Sequence, residues 1–320
     1  MDHRILGLIL LAAAILVRGA PASAQGLDFA TQQGLPVEVY ADSGMELSQD
    51  AKTVIAHGHA KAIRGRVTVT ADTLTAHYRD KPKPGAAVAK AVSPTPTPAS
   101  AKSSGEADTG NSEVWRLEAD GHVVIFTDTQ RAYGDHADYN IDDAVVVLTG
   151  KDLRMTTANE LVTARDSLEY WEHRQQAVAR GNAVATKDDK RIRADVLVAD
   201  YGQDQAKHTV LRHATGFDHV VITTPTEIVT GNRTDYDPQT GIVTVTGAVK
   251  MTRDQNQLEG EYAVVNLNTG ISRLFPNAPG AAPGRDSRVK GLLIPDRRPD
   301  NAPHGAEPGG TPPPSPAPAQ

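Results

Sequence analysis

Short stretches in which apolar and polar residues alternate recur along most of the chain. Pro36 is followed by such a run at 37–40 (VEVY), and others lie at 67–70 (VTVT), 192–196 (IRADV) and 242–246 (IVTVT). Val, Ile and Thr dominate these runs, and a period of two in such residues predicts β-strands. Beyond the N-terminal segment, no convincing apolar stripe has the 3.6-residue period of a helix. We therefore predict an all-β protein.

A repeat underlies the alternation. Gly and Tyr recur 20 residues apart at Gly58/Tyr78, Gly150/Tyr170, Gly181/Tyr201 and Gly216/Tyr236. An acidic residue lies 14 residues after a glycine at Gly58/Asp72, Gly181/Asp195 and, in a weaker copy, Gly247/Glu261. A unit of about 30 residues, two strands joined by a tight turn, cannot bury its apolar face alone, so we expect such units to stack.

The apolar positions change phase within one copy of the repeat. Val67, Val69 and Ala71 share one phase, whereas Leu74 and the residues two and four positions after it share the other. Because successive strand residues point to opposite faces, the change predicts a bend or bulge near Asp72, as at the corner of a folded-over sheet.

The first residues are typical of a secretory signal peptide. Thirteen mostly apolar residues (5–17) precede a small-x-small site, which predicts a signal peptide at 1–24 cleaved after Ala24. The run is shorter than the roughly 20 residues that a membrane span needs, although an uncleaved anchor is the alternative. Export of a Cys-free, mildly acidic chain points to a bacterial periplasm.

Composition divides the rest of the chain. Pro, Ala, Ser, Thr and Lys dominate 81–113, which we expect to be a disordered insert. The segment 276–320 is similar and is predicted to be mostly disordered, with a candidate last strand at 288–294. The β domain is therefore assigned to 25–80 and 114–275.

Charge and cysteine content exclude several classes of function. The chain has 33 Lys and Arg against 39 Asp and Glu, a net charge of −6, which disfavours general nucleic-acid binding. It has no Cys, which excludes thiol catalysis, Cys-ligated zinc and disulfides.

The search for catalytic and metal chemistry gives only weak candidates. His57 and His59 could place two imidazoles on one strand face, but no third ligand follows at a suitable spacing, and a solvated strand face is the alternative. Nucleophile elbows, phosphate-binding loops and HExxH motifs are absent from the sequence. We predict neither an enzyme nor a cofactor or metal site.

Two segments resemble a known family. Residues 34–42 (GLPVEVYAD) through Asp72, with the HGHA turn at 57–60 and VTVTAD at 67–72, are similar to the periplasmic lipopolysaccharide-transport bridge proteins, the LptA/OstA-like family. A second resemblance covers 121–150. It implies an elongated, folded-over antiparallel β-jellyroll, built of repeated strand pairs and open at both ends. It further implies that the protein binds lipopolysaccharide acyl chains and carries them from the inner to the outer membrane. End-to-end self-association and contacts with inner-membrane-anchored and outer-membrane transport components are the implied partnerships.

An apolar trough between the strands would shield such chains from water. The residues expected to line it are Val37, Val39, Val67, Val69, Leu74, Phe126, Val147 and Ile192. The 81–113 insert and the additional repeats at about 202–275 depart from the family pattern. Two other interpretations are a ligand-free envelope-assembly scaffold and a parallel β-helix acting on surface polysaccharide.

Overall fold

The computed structural model describes residues 37–80, 112–205, 209–281 and 288–294. The predicted signal peptide with its cleavage site, nearly all of the predicted insert and most of the predicted C-terminal tail lie outside the described residues.

Strands make up almost all of the described chain. Its one helical element is a 3-10 turn at Glu172–Arg174, so the described residues contain no α-helix and the all-β prediction is confirmed. The four runs singled out in the sequence lie in β1, β4, β12 and β15. The strands are β1 Glu38–Tyr40, β2 Gly44–Ser48, β3 Thr53–Arg64, β4 Val67–Asp80, β5 Ser112–Phe126, β6 Arg131–Asn140, β7 Val145–Thr149, β8 Arg154–Thr156, β9 Glu160–Thr163, β10 Ser167–Trp171, β11 Gln176–Lys187, β12 Lys190–Gln203, β13 Thr209–Thr223, β14 Ile228–Asp237, β15 Ile242–Arg253, β16 Asn256–Asn266, β17 Ile271–Phe275 and β18 Lys290–Leu292.

The strands form one antiparallel meander. From β3 to β6 and from β11 to β16, each strand pairs with the next one along the chain. Elsewhere, two short strands together take the place of one long strand, which we also call a row of the sheet. In this way β1 and β2 pair with β3, β7 and β8 pair with β6, β10 and β9 pair with β11, and β17 and β18 pair with β16. All these pairings are antiparallel, which contradicts the parallel β-helix interpretation for the described residues.

Each row bends at its middle. The β4–β5 pairing shifts register between Thr70 and Thr73, which confirms the bend predicted near Asp72. In β5, Gly121 and His122 both have a positive φ, 77° and 49°, and the same pair of conformations recurs at 58–59, 181–182, 218–219 and 247–248. Two consecutive left-handed residues reverse the pleat and turn the strand out of its plane.

The 14-residue spacing in the sequence follows from this corner. The register shifts in the β3–β4 and β11–β12 pairings place Gly58 beside Asp72 and Gly181 beside Asp195 at the corner. Separately, a Cβ on Gly121 would collide with the Asp72 carboxylate and one on Gly181 with Asp166, so glycine lets an acid of a neighbouring row approach the bend. In β13 the corner is Asp218, with φ of 59°, not Gly216. The Gly216/Tyr236 copy of the repeat was therefore placed two residues out of register.

The bend divides the sheet into two leaves that face each other. Leaf A contains β2, β7, β10, β17 and the adjoining halves of the long strands, and leaf B contains β1, β8, β9, β18 and the other halves. Inward side chains of both leaves form one apolar cluster, as Leu197 of leaf A and Val162 of leaf B illustrate. The result is the folded-over antiparallel β-jellyroll that the sequence predicts.

The strand bounds lie close to two of the predicted boundaries. β5 begins at Ser112, two residues before the β domain was expected to resume, and β18 lies inside the candidate range 288–294. Within the described ranges, no helix has the length and hydropathy to span a membrane.

Candidate functional site

An apolar cavity of about 230 Å³ lies between the leaves at the N-terminal end of the sheet. Its walls come from both leaves, so it exists only because the sheet folds over. The lining residues are Val37, Val39, Met45, Val54, Ala56, Ala62, Val69, Leu74, Thr75, Ala76, Leu117, Glu118, Ala119, Ile125, Ala137, Asp138, Tyr139 and Val146.

Small side chains keep this space open. One line of inward side chains crosses the strands of leaf A, because each of its members is paired with the next on the neighbouring strand. It consists of Ala56, Leu74, Ala119 and Ala137. Across the cavity, Ala62 is among the leaf B residues that face them. An alanine methyl cannot reach the opposite leaf, so these rows leave volume that larger side chains would fill.

The cavity reaches the first edge of the sheet. Val39 of β1 is 40 % exposed, and Met45 and Leu47 of β2 are 54 % and 55 % exposed. In the described chain, β1 and β2 pair only with β3, so the inward side chains of this edge have no further row to cover them. They form the mouth of the cavity.

A polar group sits toward the C-terminal side of the cavity. Tyr139, whose side chain lines the cavity, has its phenol close to the carboxylate of Glu172 in the 3-10 turn. Burial raises the pKa of Tyr139 above its ordinary value, Glu172 raises it further, and the nearby Arg64 guanidinium opposes the rise. Glu172 is only 7 % exposed. The walls of the site are therefore mostly apolar, and Tyr139 places a polar group among them.

Beyond Tyr139, toward the C-terminal rows, side chains fill the space between the leaves. Leu153, Met155 and Leu197 are each no more than 2 % exposed, and the gap left between the leaves near Ile192 measures only about 40 Å³. Around these residues the predicted apolar trough is closed by packed side chains, and it is open in the first rows of the sheet.

Four of the predicted lining residues meet at the cavity. Val37 and Val39 lie at its mouth, and Val69 and Leu74 lie on its two walls. Val67 and Ile192 also point inward, but Val67 is packed in the apolar cluster and Ile192 borders the smaller gap. Their contact with lipid stays a prediction.

Phe126 and Val147 do not reach the interior, and their assignment is corrected. Phe126 lies under the guanidinium of Arg131, 4.9 Å from its centre, and Val147 is paired across the sheet with Asp138 and Glu169. The inward residues are their neighbours Ile125 and Val146. Both runs are apolar on consecutive positions, so the sequence carries no alternation that would set the phase, and an error of one residue exchanges the faces.

Sequence reasoning missed most of the alanines and Tyr139. Ala119 follows Leu117 at the spacing of two that marks a strand face, and this signal could have found it. The position of Ala62 opposite these residues depends on the fold of the sheet and has no local signal.

The remaining recesses and clusters are polar. A larger recess of about 590 Å³ near the C-terminal edge is lined by Lys250, Glu259, Glu261, Lys290 and others, which does not suit acyl chains. His57 and His59 lie 3.9 Å and 3.3 Å from Glu46 and Asp42. Among the described residues, no three His, Asp or Glu side chains are grouped so that they could hold a metal ion.

Comparison with known families decides the relationship. Residues 38–168 and 161–271 each match the model of the family described as "LptA/(LptD N-terminal domain) LPS transport protein". The chain belongs to this family. The two matches overlap at β9 and β10, where the sheet of this lipopolysaccharide-transport protein continues from row to row without a break in pairing.

Individual relatives are more distant. An uncharacterised protein of Rhizobium meliloti (strain 1021) is 24 % identical over 146 residues, which covers 46 % of this chain and 65 % of that relative's length. The crystal structure of LptH from Pseudomonas aeruginosa, described as the LptA-homologous periplasmic component of the lipopolysaccharide transport device, matches with a TM-score of 0.37 and 18 % identity. That match covers 42 % of this chain and 95 % of LptH.

Proposed function

We propose that this protein is a periplasmic carrier, without catalytic activity, that holds lipopolysaccharide acyl chains in the apolar cavity between its leaves and helps to bridge the inner and outer membranes. The cavity is the observation that carries the proposal, since its walls are almost entirely hydrocarbon and it opens at the first edge of the sheet. Membership of a lipopolysaccharide-transport family supports the choice of lipid.

The energetics favour a sheltered route. Each methylene exposed to water costs roughly 0.8 kcal/mol, so an acyl chain of about a dozen carbons meets a barrier on the order of 10 kcal/mol in an aqueous compartment. Walls of Val, Leu and Ala remove most of that cost, and they place no unpaired polar group against the chain.

The proposal places the bound chain in the N-terminal rows. An acyl chain entering between Val39 and Met45 would run along Val69 and Leu74 toward Tyr139. Further passage requires the leaves to separate where Leu153, Met155 and Leu197 now fill the interior. The C-terminal rows therefore act in this proposal as a closed section that transport must open.

A matched pair of aspartate substitutions tests the cavity. Val69 lines it, whereas Val124 is paired with Thr70 and Tyr133 at an outward position of the same leaf. We expect Val69→Asp to reduce the lipopolysaccharide that co-purifies with the protein by at least about tenfold, because a buried carboxylate in an apolar wall is costly. Val124→Asp should keep most of it.

The readout is mass spectrometry of lipids from the purified protein, with circular dichroism to verify folding. Equal losses in the two folded variants would refute the cavity as the lipid site. A folded wild-type protein free of lipopolysaccharide would count against the carrier itself.

Bridging needs both edges of the sheet. Within the described ranges, β1 and β2 pair only with β3, and β17 and β18 pair only with β16, so each end presents unpaired N–H and C=O groups to a further strand. Met45 and Leu292, which are 54 % and 59 % exposed, would gain cover there. We propose that copies of this chain, and related domains anchored in either membrane, join at these edges.

Lysine in an edge strand opposes strand addition. We expect Met45→Lys to shift sedimentation of concentrated protein toward the monomer, whereas Lys61→Arg should leave it unchanged. A concentration-dependent association that is the same in both variants would remove the first edge from the bridge.

The proposal also requires that the protein is exported and that its signal peptide is cleaved after Ala24. Sequencing the N-terminus of protein isolated from the periplasm should find Gln25 as the first residue. An intact N-terminus in membrane fractions would instead identify an anchored protein.

A further inference from the structure

The two leaves differ in the charge of their outer faces. On leaf A, outward arginines are paired with acids: Arg180 lies 2.7 Å from Glu169, and Arg233 lies 2.6 Å from Asp235. Arg116 is likewise bonded to Asp138. Charges on this face are therefore largely neutralised within the face.

Leaf B carries arginines without such partners. Arg131, Arg154, Arg191 and Arg193 alternate with inward Ala132, Met155 and Ile192, which places all four on the outer face, and all four are exposed. Within the described chain, none of the four lies within ion-pair distance of a carboxylate. Along β6 and β12, the first acids in the same outward phase, Asp135 and Asp195, lie at the corner where the sheet bends.

Two acids near the leaf B half of β12 contact cations other than the four arginines. Asp189 lies 3.4 Å from Lys190, and Asp195 lies 2.8 Å from His219. Neither of these contacts involves one of the four arginines. The whole chain has a net charge of −6, so this is a local reversal of sign.

The arginines are close enough to act together. Strands β6, β8, β9, β11 and β12 are successive neighbours in leaf B, and neighbouring strands lie about 4.8 Å apart, so the patch spans roughly 20 Å. Outward hydroxyls of Thr156, Thr163 and Thr186 lie between them. Guanidinium groups and hydroxyls are the usual donors to phosphate oxygens.

Apolar and aromatic side chains accompany the arginines. Arg131 lies over the ring of Phe126 and Arg154 lies over that of Tyr133, at 4.9 Å and 4.2 Å. Leu161, in the same outward row, is 40 % exposed. Cations mixed with aromatic and aliphatic groups are typical of surfaces that rest in the headgroup region of a bilayer.

We propose that the outer face of leaf B from β6 to β12 docks on a bilayer surface that carries anionic phospholipid headgroups. This contact is separate from the cavity, which lies inside the fold. It would hold the protein alongside a membrane while the interior and the edges stay free for lipid and for partners.

Co-sedimentation with vesicles tests the docking face. The protein as purified from its producing cells is mixed at low salt with phosphatidylglycerol vesicles or with phosphatidylcholine vesicles. We expect binding to the former only, weakened by salt. Replacing Arg191 and Arg193 with Gln should weaken it roughly tenfold or more, since each surface cation contributes several-fold to partition onto an anionic membrane.

The matched control removes the same charge from the other leaf. Arg180→Gln with Arg233→Gln should change phosphatidylglycerol binding by less than about threefold, and Arg191→Lys with Arg193→Lys should retain most of it. Equal partition onto the two kinds of vesicle, equal losses in the two Gln variants, or no binding to phosphatidylglycerol would each overturn the proposal. Each of these variants is expected to bind lipopolysaccharide as the wild type does. The membrane-docking proposal and the carrier proposal are therefore tested independently.

Discussion

The N-terminal rows of the sheet, β1 to β7, enclose an apolar cavity of about 230 Å³, whereas the gap between the leaves near Ile192, in the rows from β11 to β16, measures only about 40 Å³. Both regions use the same antiparallel strands and the same corner. They differ in what points inward: alanines such as Ala119 and Ala137 in the first, and Leu197 and Tyr236 in the second. Side-chain size, and not the strand pattern, decides where the folded sheet is hollow.

The difference also separates stability from binding. A closely packed interior stabilises the leaves through dispersion and apolar burial. A hollow interior has fewer such contacts and is less stabilised, but it has space for a ligand. The family model matches both regions, so the same architecture serves both purposes within one chain.

The largest effect is expected from removing a packed leucine. Leu197 is 1 % exposed, and Leu197→Ala should lower the free energy of unfolding by about 2–5 kcal/mol through lost burial and a new void. Leu74→Ala, at the existing cavity, should cost clearly less. Urea denaturation measures both, and equal losses would break the contrast between the regions.

Adding volume should also destabilise the packed region more than the region around the cavity. Ala199 is fully buried in the packed part, so Ala199→Leu should destabilise by about 1–3 kcal/mol through overpacking. Ala119→Leu can extend into the cavity and should be near neutral while reducing lipid capture. Thermal unfolding and lipid content of the two variants provide the comparison; a strongly destabilised Ala119→Leu would mean that the cavity collapses in solution.

The corner should respond alike in both regions. Gly121 and Gly181 have φ of 77° and 84°, and an added Cβ at either would press on an aspartate of the next row. Gly121→Ala and Gly181→Ala are each expected to cost about 1–2 kcal/mol, because a side chain disfavours the left-handed conformation. A loss confined to one of them, measured by urea denaturation, would show that the corners are not equivalent.

The smallest effect concerns the corner histidines. Asp72 lies 2.8 Å from His122 and Asp195 lies 2.8 Å from His219, and each hydrogen bond raises the pKa of its histidine. A raised folded-state pKa contributes stability that is fully present below the unfolded pKa of about 6.5 and is lost as the pH rises through the folded value.

We therefore expect NMR titration to find both pKa values above the ordinary one. Asp72→Asn should return that of His122 toward it and leave His219 unchanged. An unchanged His122 pKa in that variant would show that the pair does not form in solution.

Local patterns in the sequence determined the strands and the bend. Alternation in VTVT and IVTVT, the phase change at Asp72 and the 14-residue spacing from glycine to acid all reflect contacts within a row or between adjacent rows. Such contacts involve residues a few positions apart or in register, so they leave a period that can be read directly.

Only the tertiary structure decided which residues meet across the fold. The phase of Phe126 and Val147 was ambiguous because their runs are apolar on both faces, and the structure turns both outward. The position of the cavity depends on the summed sizes of side chains from two leaves far apart in sequence, and the unpaired arginines of leaf B depend on which acids the fold leaves out of reach. Neither quantity is periodic along the chain, because packing volume and ion pairing are set by neighbours in space.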